Sequence, residues 1–142
     1  MTRTIDELLA DARARIERYE PAEALAAMLA GAALVDTRSS DARRRDGVVP
    51  GALHIPRTVL EWRVDPSSPW RNEHVDATTQ PVIVLCEHGY SSSLAAATLV
   101  ELGLPRVGDV VGGYAAWVEE GLPTARWREQ VDDGLPGTGP PD

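Results

Sequence analysis

The chemistry legible in this chain starts at Cys86, its only cysteine. Cys86 lies in PVIVLCEHGYSSSLAAATLVEL, residues 81–102. Val82 to Leu85 form an apolar run rich in β-branched residues, too short for a helix and bounded by Gln80-Pro81, which reads as a central strand buried on both faces. Glu87, His88, Gly89, Tyr90, Ser91 and Ser92 follow the cysteine, with serines at helix-capping positions before Leu94, Ala95, Ala96, Ala97 and Leu99. Loop amides curling into the first turn of a helix aim their N–H groups at one spot, and the helix dipole adds positive charge there. A thiol at that spot is acidified, and the thiolate is the nucleophilic form of cysteine. A lone cysteine otherwise tends simply to pack in a core. Its position after a strand, beside a glycine and before serines, favours the reactive reading.

The elements that must position this loop follow from hydrophobic period and punctuation. Ile5, Leu8, Leu9, Ala12 and Ile16 recur at helical spacing behind Thr4, Asp6 and Glu7, predicting a helix over residues 2–16. Glu17 to Tyr19 either extend it or form a short edge strand. Pro21 suits the first turn of a second helix, running through Ala24, Leu25, Met28 and Leu29 to Gly31. Ala32 to Val35 read as another buried strand. Asp36, Thr37 and Arg38 leave it at the carboxyl end, where open α/β sheets place their sites. Arg38 there is a candidate site residue. DARRRD at residues 41–46 is a charged one-to-two-turn helix with a solvated face.

GVVPGALHIP, residues 47–56, carries a short strand between turn residues. RTVLEWRVD, residues 57–65, should then lie at the same rim, seated by Val59, Leu60 and Trp62. Residues 66–80 are rich in Pro, Ser and charge and read as a surface excursion, with Trp70 as packing anchor rather than lid. After Gly103 and Pro105 a strand is predicted over residues 107–111. Gly112-Gly113 then lead into a helix over residues 114–120 whose Trp117 and Val118 face the core, closed by Gly121. From Thr124 the composition turns to Pro, Gly and charge and predicts poor order, with Trp127 as a tether. Strands alternating with helices predict an α/β fold: a single domain with a parallel sheet of four or five strands and helices on both faces.

Four segments together resemble one family. LVDTR at residues 34–38, PGALHIP at residues 50–56, CEHGYSSSLAAATLVELGL and DVVGGYAAWVEEGLP are similar, in this order along the chain, to rhodanese-like sulfurtransferase domains. The resemblance covers residues 17–124, leaving residues 1–16 as an N-terminal helical extension and residues 125–142 as a tail. It implies that Cys86 accepts sulfane sulfur as a persulfide and passes it to a thiol or cyanide. The amides of Glu87, His88, Gly89, Tyr90, Ser91 and Ser92 would form the cradle. For Arg38 the resemblance implies a structural, ion-paired role beside Asp36, against the site role its position suggests.

The departures from that family sharpen the expectation. Many active members carry an arginine at the fifth place after the cysteine, where it can hold a thiosulfate or persulfide anion; here that place is Ser91. Any cation must come from elsewhere, and Arg57 and Arg63 are the nearest by topology. Glu87, beside the thiol, is expected to face solvent, since an inward carboxylate would raise the thiol pKa and repel anions. The Gly-His pair that often precedes this family's Ile-Pro-Gly is replaced by Asp46-Gly47-Val48-Val49.

Composition bounds the partners. With a formal net charge of −8, the chain has an acidic surface, which argues against nucleic acid and anionic membranes. No run of apolar residues is long enough to span a bilayer, and the first residues mix Asp and Glu with apolar side chains where a signal peptide would have an apolar core. A single cysteine excludes an internal disulfide and fits a reducing compartment, so the expected location is cytoplasmic. His54, His74 and His88 are scattered, which supplies no metal-ligand spacing, and no cofactor is implied. Three functions stay open. They are a sulfurtransferase with a small-molecule or protein sulfur donor and a thiol acceptor, a non-catalytic rhodanese-like module that binds a partner or senses redox state, and a phosphatase or arsenate reductase. The last needs a loop arginine that is absent.

Overall fold

A computed structural model describes residues 1–128 of the chain. The elements run α1 (Ile5–Arg15), β1 (Glu17–Tyr19), α2 (Pro21–Leu29), β2 (Ala33–Asp36), α3 (Ser40–Asp46), β3 (Leu53–His54), a 3₁₀ turn (Arg57–Val59), α4 (Leu60–Val64), β4 (Val82–Leu85), α5 (Ser91–Glu101), β5 (Val107–Val110) and α6 (Gly113–Glu119). The five strands form one sheet in the order β1-β5-β4-β2-β3 with every pairing parallel. The fold is α/β, as the alternation of strand and helix signals predicts.

Strand period sorts the core into two layers. Ala33, Val35, Val82 and Val84 pack with Leu60 and Val64 of α4 and with Ala95, Ala96 and Leu99 of α5. Their neighbours Leu34, Ile83 and Leu85 point the other way, against Ala24 of α2 and Tyr114 and Trp117 of α6. Both faces of β2 and β4 are therefore covered, which is why each reads as an unbroken apolar run. β4 is the middle strand, so the cysteine at its carboxyl end sits at the centre of the sheet rim.

Local chemistry sets the ends of the helices. Thr4 and Glu7 close a capping box on α1, and Pro21 opens α2. The open choice at residues 17–19 resolves to an edge strand, with Glu17 opposite Gly108 and Arg18 opposite Asp109. Two packing expectations fail. Trp62 is 59% exposed and does not seat α4; Leu60 and Val64 do. Val118 is turned to solvent, whereas Trp117 is fully buried with its indole N–H donated to the Pro123 carbonyl at 2.8 Å. One residue's step on a helix rotates the side chain about 100°, and on α6 that step carries Val118 out of the core that Trp117 fills. Trp70 is half exposed, and its backbone carbonyl accepts from Arg63 at 2.7 Å. Beyond α6, Ala125 pairs antiparallel with Val48, and Arg44 stacks over the Trp127 ring at 4.7 Å. The expected poor order of the tail falls mostly on residues 129–142, outside the described residues.

The edge pairing carries a test. A Cβ on Gly108 would lie 2.4 Å from the Glu17 carbonyl oxygen and 2.7 Å from the Tyr19 ring. Gly108→Ala therefore has to push β1 off the sheet. Chemical denaturation is expected to show a loss of about 1–3 kcal/mol, and an unchanged midpoint would contradict the close approach.

Candidate active site

Cys86 leaves β4 with only 6% of its surface exposed. Its sulfur accepts two backbone N–H groups, from Gly89 at 3.2 Å and Ser92 at 3.3 Å. The serines occupy the first turn of α5 and do not cap it: the capping position is Tyr90, whose side chain makes no capping bond. A helix leaves its first amides without intrahelical acceptors. The sulfur takes the Ser92 amide and so does the work of a capping side chain.

The loop's carbonyls are tied outward. The carbonyl of Cys86 accepts from Tyr114 N at 2.8 Å, and that of Glu87 from Ala115 N at 3.0 Å, both at the start of α6. The carbonyl of Gly89 accepts from Arg13 Nη2 at 2.8 Å and Arg18 Nη2 at 3.2 Å. In a trans peptide the N–H points opposite the C=O. Tying these three carbonyls to α6, Arg13 and Arg18 therefore turns the amides of Glu87, His88 and Tyr90 away from those partners. The fit against α6 depends on Gly113, with φ +62°, where a Cβ would stand 2.5 Å from the Cys86 oxygen and 2.7 Å from the Glu87 carbonyl. Gly89, with φ +83°, is equally close to Gly112, whose amide nitrogen would be 2.7 Å from an added Cβ.

The thiol's acidity is a contest between opposing influences. Burial is the largest and favours the neutral thiol. Hydrogen bonds from the Ser92 and Ser91 side chains and the Ser92 and Gly89 amides act against it, and their sum leaves the pKa below the ordinary 9.0. The Ser92 hydroxyl has one proton, and Asp109 Oδ2 at 2.8 Å competes for it. The amide protons have no such freedom, so they are the donors on which the thiolate depends.

Asp109 of β5 is completely buried and collects four donors. Arg18 grips it at 2.9 and 3.3 Å, and the hydroxyls of Ser92 and Ser93 reach Oδ2 at 2.8 and 2.7 Å. Arg13 of α1 joins from the outside, donating Nε to Ser93 Oγ at 3.1 Å and lying 5.4 Å over the Tyr90 ring. On the other side, Asp36 accepts from Arg38 at 2.9 Å and from Arg43 at 3.3 Å, and all three are buried. Arg38 also donates to the Gly47 carbonyl at 2.8 Å and stacks 3.7 Å from the Tyr114 ring. Asp36 and Arg38 thus make the ion pair expected of a strand-end brace, and they fix the α3 end and α6 together.

The sequence-based candidates fall into three groups. Cys86, Gly89 and Ser92 meet at the sulfur. His88, Tyr90 and Ser91 line the same loop but are exposed. Glu87 does not simply face solvent: its carboxylate is about two-thirds covered and leans to within 3.9 Å of Arg38 Nη1, drawn by that buried charge. Arg57 is engaged by Glu61 at 2.9 Å, and Arg63 holds the Trp70 carbonyl. The guanidinium groups at the loop's own carbonyls belong instead to Arg13 and Arg18. Asp109 offered the missed signal, since a carboxylate in a buried strand requires a partner brought to it by the fold.

This cysteine loop between the central strand of a parallel sheet and a helix defines a class, and comparison with known proteins agrees. Residues 20–120 match the rhodanese-like domain family model, and the chain belongs to that family. It is 36% identical over 101 residues to the thiosulfate sulfurtransferase GlpE of Pseudomonas entomophila (strain L48), covering 71% of this chain and 84% of that one. Among solved structures it is similar to a protein of unknown function from Rhodopseudomonas palustris CGA009, a possible tyrosine phosphatase (TM-score 0.76, 32% identity, 88% of this chain and 96% of that chain). It is also similar to the polysulfide-sulfur transferase homodimer of Wolinella succinogenes (TM-score 0.69, 26% identity, 84% and 85% of the two chains). Among the described residues, no helix is long and apolar enough to cross a membrane.

Two outcomes test this geometry. Alkylation of Cys86 by iodoacetamide should accelerate with pH through a midpoint below that of an ordinary thiol, because the lowered pKa leaves more thiolate at a given pH; a midpoint at or above that of a free cysteine, about 8.5, would refute the amide cradle. Gly113→Ala must displace the Cys86 and Glu87 carbonyls, and should cost about 1–3 kcal/mol in stability while moving that midpoint upward.

Proposed function

We propose that the protein is a sulfurtransferase in which Cys86 carries sulfane sulfur as a persulfide. The observation that carries this reading is the sulfur held by the Gly89 and Ser92 amides at 3.2 and 3.3 Å. In the first half-reaction the Cys86 thiolate attacks the outer sulfur of a donor such as thiosulfate. The donor's S–S bond breaks, sulfite leaves with the electron pair, and Cys86–S–S⁻ forms. In the second, an acceptor thiolate or cyanide attacks the outer sulfur. The new bond forms as the persulfide bond breaks, and the electron pair returns to Cys86. No net oxidant or reductant is required.

The protein's contribution is electrostatic. A terminal persulfide sulfur is anionic at neutral pH, and preorganised amides stabilise such charge without reorganising. The exposed His88, Tyr90 and Ser91 edge the loop and would meet the donor or acceptor first. Arg57 and Arg63 remain candidates for anion contact only if they leave Glu61 and Trp70. A persulfide donor, small molecule or protein, is therefore favoured over the doubly charged thiosulfate. A cytoplasmic setting fits a thiol that must stay reduced between turnovers.

Phosphatase chemistry is the competing reading, because the Rhodopseudomonas palustris neighbour is a possible tyrosine phosphatase. It is weaker here, since residues 86–92 contain neither Arg nor Lys to meet a phosphate dianion. The deciding experiment is intact mass after exposure to thiosulfate and, separately, to a persulfide donor. The expected result is a gain of about 32 Da, one sulfur, discharged by cyanide and absent from Cys86→Ser. No adduct from either donor would move the assignment to a binding or redox-sensing module, and aryl-phosphate turnover would move it to a phosphatase.

A further inference from the structure

The positive charge around the cysteine loop is distributed unevenly. The titratable and charged groups in the loop and on the elements around it are Glu87, His88 and Tyr90 within the loop, Asp36 and Arg38 at the end of β2, Tyr114 on α6, Asp109 on β5, Arg18 on β1 and Arg13 on α1. Arg18 is matched by the buried Asp109 at 2.9 Å. Arg38 and Arg43 share Asp36, and Arg38 has Glu87 beyond it. Among the described residues, Arg13 makes no ion pair, and it reaches the Asp109 carboxylate only through the Ser93 hydroxyl. All its bonds go to the cysteine loop and the helix that follows it: Nη2 to the Gly89 carbonyl at 2.8 Å, Nε to Ser93 Oγ at 3.1 Å, and its face over Tyr90 at 5.4 Å. It is half-buried there, where solvent screens a charge less than at the surface.

We propose that Arg13 is a positioning residue of the cysteine loop, supplying from α1 the positive charge that residues 86–92 lack. Its geometry acts twice. By taking the Gly89 carbonyl it fixes the peptide whose N–H belongs to Tyr90, and polarises that N–H. As a cation on the loop with no direct ion-pair partner, it favours the anionic sulfur over the thiol. Ser93 connects the two arginine systems, since its hydroxyl accepts from Arg13 and donates to Asp109. α1 is accordingly part of the device and not only a cover for α5. For sulfur transfer this rests on the function proposed above, and the consequence there is retention of the persulfide anion without a loop arginine.

The test compares wild type, Arg13→Met and Arg13→Lys in the full chain, following Cys86 alkylation by iodoacetamide against pH with mass detection. Arg13→Met keeps a long apolar stem but removes the charge; Arg13→Lys keeps the charge but not the fork. The Met variant should show a midpoint raised by about half to one pH unit, a three- to tenfold slower reaction below both midpoints. Lys should recover most of it. An unchanged midpoint in the Met variant, or equal shifts in Met and Lys, would overturn the proposal, the second outcome showing that geometry alone matters. Thermal unfolding of each variant separates this from loss of fold, and Arg13→Gln replaces Met if the latter unfolds. Because alkylation needs no sulfur donor, a wild type that takes up no sulfane sulfur would defeat the sulfurtransferase reading while leaving this comparison intact.

Discussion

The site depends on one unsatisfied valence. A helix beginning directly after a tight loop exposes amides that need acceptors, and α5 begins with no side-chain cap at Tyr90. The acceptor for Ser92 is the sulfur of Cys86, at 3.3 Å. A neutral thiol is a poor acceptor and a thiolate a good one. The start of α5 is therefore better satisfied when the cysteine is ionised, and folding of the helix and ionisation of the thiol favour one another. The sign follows by linkage. A thiol whose pKa is lowered in the folded state contributes stability above its unfolded pKa, and that contribution is lost as pH falls through the folded value.

Everything behind the loop keeps that arrangement in place. α6 approaches so closely that only glycine fits at residue 113, and its first amides take the Cys86 and Glu87 carbonyls. The same start of α6 reaches α3 through the Tyr114 hydroxyl, which donates to the Asp46 carbonyl at 2.8 Å. Asp36, Arg38 and Arg43 brace β2 against that corner. Buried ion pairs contribute little net stability, but removing one partner strands a charge and costs about 3–5 kcal/mol. They act as constraints on geometry more than as sources of stability. A loop whose amides must converge on one atom gains from constraint.

Much of this was legible in the chain, for physical reasons that differ by element. β4 and its cysteine were readable because an unbroken apolar run has few alternatives, and the rhodanese-like segments located the loop around it. Trp62 and Val118 misled because an apolar residue type reports only an average tendency to be buried, whereas the helical step decides which neighbour turns outward. Arg13, Arg18 and Asp109 were not read as a unit because they come together through the β1 and β5 pairing, over 91 residues of sequence between Arg18 and Asp109. The expected topology pointed to Arg57 and Arg63, which the fold engages with Glu61 and the Trp70 carbonyl. The one local clue was Asp109 itself, a carboxylate in a buried strand.

That carboxylate explains why the edge strand matters to the centre of the sheet. An ionised Asp109 with no exposure needs a cation, and β5 has β4 on one side and β1 on the other. β4 is apolar throughout, and the cation comes from β1, where Arg18 lies in register with Asp109. Once paired, Asp109 still has acceptor capacity, and Ser92 and Ser93 fill it from the first turn of α5. Residue 92 is then fixed from both ends, its hydroxyl on Asp109 and its amide on the sulfur. A three-residue edge strand thus sets the height of the helix start that holds Cys86. Loosening β1 would be felt at the sulfur before it was felt in the core.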